Sequence, residues 1–118
     1  MVATRWPRLR SRLAALVDDT RSTRLVGQAA TALGTARVIA RAHPDAVILG
    51  VQLADGPSLA LVPRLKALHP APVVVMVAPY ADDMLRQTYL TAGADRFLDS
   101  QADFEGLPAL LGALRASQ

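Results

Sequence analysis

Asp45-Ala46-Val47-Ile48-Leu49-Gly50 sets an unbroken apolar run between an aspartate and a glycine, and the same character returns in Val73-Val74-Val75-Met76-Val77. Short runs that are apolar on both faces mark parallel strands covered by helices on each side. These two segments therefore set the class of the chain as layered α/β.

Working outward, strands and helices alternate. Residues 1–5 are a short candidate strand. Pro7 suits the first turn of a helix, and Leu9, Leu13, Leu16 and Val17 then recur at helical spacing up to Asp18-Asp19. Residues 23–27 read as the next strand. Residues 30–42 read as a helix that His43-Pro44 stops, because proline pushes the residue before it out of helical geometry.

The third strand is expected over 46–53, followed by the turn Ala54-Asp55-Gly56-Pro57-Ser58. A helix over 58–68 carries Pro63, which is expected to kink or restart it. After the strand at 73–77, residues 80–91 form a helix closed by Gly93. Arg96-Phe97-Leu98 is the last strand and 103–115 the last helix. The 118 residues thus form one domain, a three-layer, doubly wound parallel sheet of five strands.

Composition narrows the function classes. With 52% apolar residues but only 4% aromatic, Ala, Val and Leu must fill the core. No cysteine is present, which excludes disulfides, thiolate nucleophiles and cysteine metal sites. His43 and His69 lie on separate loops with no ligand motif near them, so no metal site is expected. The apolar runs are far short of a membrane span, and no apolar run follows the basic N-terminus as in a signal peptide. A cytoplasmic location without membrane attachment is expected.

Charge is unevenly spread. Before Asp45, eight arginines (5, 8, 10, 12, 21, 24, 37 and 41) face two aspartates, a net of +6. From Asp45 onward, five basic residues face eight acidic ones, a net of −3. Such asymmetry suits either a solvated arginine face or an anionic partner. No recognition-helix motif and no aromatic stacking platform accompany the arginines, which weighs against nucleic acid.

Three segments resemble the receiver domain of bacterial response regulators, the CheY-like fold with strand order 2-1-3-4-5. His43-Pro44-Asp45-Ala46-Val47-Ile48-Leu49 looks like the approach to that family's phosphoacceptor strand, and Leu53-Ala54-Asp55-Gly56 like the loop after it. Thr91-Ala92-Gly93-Ala94-Asp95-Arg96-Phe97-Leu98 is similar to its turn into the last strand. Asp99-Ser100-Gln101-Ala102-Asp103-Phe104-Glu105 resembles its lysine-bearing turn.

The resemblance implies a site with two acids after the first strand and an aspartate after the third. These bind Mg²⁺, and the aspartate takes a phosphoryl group that a hydroxyl residue and a lysine then contact. In this chain the phosphoacceptor position falls on Gly50, the hydroxyl position on Val77 and the lysine position on Ser100. Val77 and Ser100 stand 27 and 50 residues beyond Gly50, in keeping with the family's layout.

Leu16-Val17-Asp18-Asp19 imitates the family's acidic pair. Gly50 follows Asp19 by only 31 residues, though, and two helices, two strands and their loops need roughly 40. The acidic positions are therefore assigned to Thr4 and Arg5, and Asp18-Asp19 to the end of the first helix.

A cavity formed by Thr4, Arg5, Gly50, Val77 and Ser100 holds no carboxylate for Mg²⁺ and no nucleophile. Arg5 could attract an anion there. The expectation is a non-enzymatic, cofactor-free, non-phosphorylatable pseudo-receiver that works by protein–protein contact in two-component-type signalling. By resemblance the contact face is the fourth helix, last strand and fifth helix, with Arg86, Arg96, Phe97 and Asp103, a face that also joins receiver homodimers. Phe97 also stands where the family has an aromatic that swings inward when the hydroxyl residue moves; with Val77 at that position it reads as a static packing residue. The alternative is a nucleic-acid or anion binder using the arginines at 5–24. The first strand, polar at its end, is expected to be truncated or incomplete, or completed by another chain, leaving backbone donors unpaired.

Overall fold

The computed structural model describes residues 1–19, 23–79 and 82–99. In chain order the elements are β1 (Val2–Ala3), α1 (Pro7–Asp19), β2 (Gln28–Ala29), α2 (Ala32–Ala42), β3 (Ala46–Gly50), β4 (Gln52–Leu53), β5 (Gly56–Pro57), α3 (Leu61–Lys66), β6 (Val73–Ala78), α4 (Asp83–Ala92) and β7 (Arg96–Asp99). Five strands form one parallel sheet in the order β2-β1-β3-β6-β7, which is the 2-1-3-4-5 order expected. The helix expected over 103–115 lies outside the described residues.

Side chains alternate across the sheet, as a period of two requires. Val47 and Leu49, with Val74, Met76 and Phe97, enter the core under α2, α3 and α4. Val2, Ile48 and Val77 enter the other layer, against Leu13 and Val17 of α1. The central pair carries most of this burial: β3 and β6 run in register from Ala46↔Val73 to Gly50↔Val77.

The first strand has partners on both sides, so no donors wait for a second chain. Val2 N–H donates to Gly27 O, Thr4 N–H to Ala29 O, and Ile48 N–H to Met1 O. Residues 1–4 thus make the central ladder, though only two of them count as strand. The Met1 amine donates to Ala46 O, and burial lowers its pKa from 8.0 to about 6, partly opposed by Asp45.

The second strand lies at Gln28–Ala29 rather than at 23–27. Leu25 and Val26 do pack onto opposite layers, as strand residues would. They form no ladder because β1 supplies hydrogen-bond partners only from Gly27 onward.

The third strand also ends early, at Gly50 rather than Leu53. Beyond it the chain turns back into the antiparallel pair β4–β5, with Gln52 opposite Pro57. Val51 and Leu53 remain buried, which is why hydropathy alone shows no break.

Capping explains the helix boundaries. Thr31 accepts from Gly34 N–H at 2.9 Å at the start of α2. Asp55, expected to serve only its own turn, reaches across and accepts from Ala32 N–H with both oxygens, at 3.0 and 3.1 Å. Asp82 caps α4 by accepting from Met84 and Leu85 N–H. A carboxylate there also meets the positive end of the helix.

Pro63 neither kinks nor restarts α3. It is the third residue of a helix that begins at Leu61, where a backbone N–H has no helical partner in any case. At the base of the sheet, Asp95 accepts from Val74 N–H and from Lys66 Nζ, each at 2.8 Å, tying β7 to β6 and α3.

Candidate functional site

In a parallel sheet all strands end on the same side, and a ligand site belongs at that mouth. The β1–β3 register, Val2↔Ile48 and Ala3↔Leu49, carries on to set Thr4 beside Gly50, and Gly50 pairs with Val77. Three of the five expected pocket positions are therefore neighbours across three adjacent strands. Ser100 lies outside the described residues.

The three pack closely together. Thr4 is fully buried, and Val77 and Gly50 are buried beside it. A Cβ on Gly50 would stand 2.6 Å from Thr4 Oγ1 and 2.8 Å from Thr4 Cβ. The threonine side chain thus occupies the space that any side chain at position 50 would need.

The surrounding polar groups are turned inward on one another. Ser58, itself buried, donates its hydroxyl to Gly50 O at 2.7 Å. Tyr89 Oη donates to Val51 O at 3.0 Å. Arg10 Nη1 donates to Thr4 O at 2.8 Å, and Arg5 N–H to Gln52 O at 3.2 Å. These bonds occupy the carbonyls of Thr4, Gly50, Val51 and Gln52, and among the described residues no buried side-chain polar atom lacks a partner. Arg5 itself points outward and is exposed.

Among the described residues Asp99, at the end of β7 opposite Ala78, is the carboxylate at the mouth end of a strand, and the others lie elsewhere. Asp18 ends α1, which runs back down from the mouth, and Asp45 precedes β3 at the opposite end of the sheet. Asp55 and Asp82 cap helices. Among the described residues no group of three or more His, Cys, Asp or Glu is placed to hold a metal ion.

On the expected contact face the residues divide. Arg96 is exposed and Arg86 half-buried, while Asp103 lies outside the described residues. Phe97 is corrected to an interior residue, only 3% exposed. Its ring sits 6.1 Å from Tyr89, tilted by 51°, and the Arg86 guanidinium lies over it at 5.3 Å. Arg86 also donates to Phe97 O at 2.8 Å. Sequence reasoning missed Ser58 and Tyr89, which close the mouth. Both act on backbone carbonyls, and no motif signals such a contact.

No family model matches the sequence, and no curated protein matches it. Among the described residues no helix is long and apolar enough to cross a membrane. Solved structures do match over nearly the whole chain. The receiver domain of NtrX from Brucella abortus superposes with a TM-score of 0.86 at 20% identity, covering 99% of this chain and 98% of that one. A LuxR-family DNA-binding response regulator structure from Staphylococcus aureus gives 0.85 at 15% identity, covering 97% and 95%. The signal receiver domain of the NarL response regulator from Mycobacterium tuberculosis gives 0.83 at 17% identity, covering 97% and 93%. At such identities the likeness is one of architecture: the chain has the CheY-like receiver fold.

Proposed function

We propose that this domain is a pseudo-receiver, a non-enzymatic regulatory module of two-component-type signalling in the bacterial cytoplasm that has no phosphotransfer chemistry. One observation carries the proposal. Thr4 fills the place of a side chain at position 50, so the phosphoacceptor and its acidic neighbour are replaced together by a packed contact. Val77, buried at the hydroxyl position, cannot donate to a phosphoryl oxygen. Arg5 faces solvent, and Arg10 spends a guanidinium hydrogen bond on Thr4 O.

The test is direct. Incubation with Mg²⁺ and acetyl phosphate is expected to leave the intact mass unchanged, and beryllofluoride to leave the amide NMR spectrum unchanged. A stoichiometric phosphoryl adduct overturns the proposal.

The protein partner is assigned to the face made by α4, β7 and the segment that follows, with Arg96 and Asp103. Supporting it, Met84 projects from α4 with 79% of its surface exposed, beside Asp83, Gln87, Thr88 and Thr91. Flexible methionines on open surfaces suit adaptable contacts. If the same face joins two copies, Met84→Asp is expected to weaken self-association at least tenfold in sedimentation velocity. A wild-type protein that stays monomeric at high micromolar concentration removes the homodimer.

A further inference from the structure

The strand order turns an asymmetry along the chain into one across the molecule. Residues 1–44 build β1, α1, β2 and α2, and so occupy one side of the sheet, ending at the β2 edge. Seven described arginines of that segment (5, 8, 10, 12, 24, 37 and 41) therefore share one flank with Asp18 and with Asp55, which caps α2, while Asp82, Asp83, Asp95 and Asp99 lie at α4 and β7.

Five guanidinium groups of this flank reach solvent. Arg5, Arg8, Arg24, Arg37 and Arg41 are all exposed. The ion pair Lys66–Asp95 lies on the other half of the molecule. Arg10 donates to a backbone carbonyl, Thr4 O.

Their arrangement follows the helices. Arg8 begins the outer face of α1, whose 13 residues span about 20 Å. Arg37 and Arg41 are one turn apart on the outer face of α2, about 6 Å along its axis. Arg5 stands at the mouth end and Arg24 in the connection leading to β2. The positive surface thus wraps the β2 edge from both layers, wider than the roughly 10 Å over which 0.1 M salt screens a charge.

We propose that this flank binds the phosphate backbone of nucleic acid, without reading sequence. The absence of a recognition helix and of a stacking platform argues against base readout, and backbone binding needs neither. What the fold adds is the gathering of five exposed guanidinium groups, each a fork that matches phosphate oxygens. A protein interface would need an apolar centre with aromatic or aliphatic anchors. Among the described residues Leu33, 59% exposed, is the one large apolar side chain left open on this flank. A polar, arginine-rich surface with so little apolar area has the make-up of a nucleic-acid interface. The proposal does not depend on the loss of phosphotransfer and stands or falls separately from it.

Fluorescence anisotropy with a labelled mixed-sequence 24-base-pair DNA duplex tests it on the full chain. At about 0.1 M salt the expected dissociation constant is micromolar to submillimolar, as for sequence-independent binding. The slope of log K against log salt is expected near −4, since each neutralised phosphate contributes about −0.9. The triple variant Arg8→Gln/Arg37→Gln/Arg41→Gln should lower the slope's magnitude by between 2 and 3, by the same rule of about 0.9 per phosphate. The matching lysine variant should retain it. Arg64→Gln, an exposed arginine of α3 on the opposite flank, is the control for mere basicity and should change nothing. No binding at 20 mM salt, or equal weakening by the control, overturns the proposal. Displacement of the duplex by polyglutamate at equal charge concentration also overturns it, and assigns the flank to an acidic protein.

Discussion

Gly50→Asp is expected to destabilise this domain by more than about 3 kcal/mol, without making it phosphorylatable. Two effects add. The new Cβ would lie 2.6 Å from Thr4 Oγ1 and 2.8 Å from Thr4 Cβ, and Thr4 is fully buried, so it has nowhere to move. Overpacking of this kind costs about 1–3 kcal/mol by itself. The carboxylate then enters a mouth whose donors are already engaged, and an uncompensated buried charge adds several kcal/mol more. Against a total stability of about 5–15 kcal/mol for a small domain, such a loss is severe.

Gly50→Ala separates the two effects, since it brings the clash without the charge; about 1–3 kcal/mol is expected. Thr4→Gly/Gly50→Ala should recover part of that, giving a coupling of about 1–3 kcal/mol in a double-mutant cycle. Urea denaturation of the four proteins measures it. Additive behaviour would show that the two residues do not share one space. A Gly50→Asp protein that keeps its midpoint and accepts phosphate would remove the basis of the pseudo-receiver proposal.

Which parts of this architecture could be read beforehand follows from how local their causes are. β3 and β6 are apolar on both faces over four or more residues, a signal carried by the segment itself. The start of α1 at Pro7 and the cap of α4 at Asp82 are equally local. Alternation of strand and helix gave the doubly wound class, and the resemblance to receivers implied the strand order. β2 could not be placed this way, because its register is set by the residues β1 can pair with, not by Leu25 and Val26. The early end of β3 depends on Ser58 and Tyr89, which bond to the carbonyls of Gly50 and Val51 across 8 and 38 residues.

The candidate site divides along the same line. The resemblance, checked by counting residues from Gly50, named Thr4 and Val77 as pocket positions. That the Thr4 side chain fills the space above Gly50 is a fact of packing. So is the closing of the mouth by backbone carbonyls. The arginine surplus was visible in the sequence, but its gathering on one flank required the strand order. Phe97 carried two readings: the contact surface is overturned, while the packing residue agrees with its place inside, against Tyr89 and Arg86.

Phe97→Ala is expected to be the second severe substitution, costing about 3–5 kcal/mol, the range for truncating a buried phenylalanine. The ring is 3% exposed, on the layer shared by Met76 and Tyr89. Beyond the area lost, the tilted pair with Tyr89 at 6.1 Å contributes about 0.5–1.5 kcal/mol. Arg86, half-buried, adds a cation–π contact of roughly 0.5–2 kcal/mol at 5.3 Å. Because Arg86 also donates to Phe97 O, the guanidinium is anchored to β7 and the ring is held from above. Phe97→Leu keeps the volume largely filled and should lose about half as much, and a midpoint shift in urea distinguishes the two. The resemblance to receivers suggests an aromatic here that swings inward when a neighbouring hydroxyl moves, but Val77 has no hydroxyl to move. A fluorine label on the ring is therefore expected to give one sharp NMR resonance, unchanged by Mg²⁺ and beryllofluoride. Two exchanging resonances, or a shift with the phosphoryl mimic, would mean that Phe97 still switches and that the mouth above it is not closed.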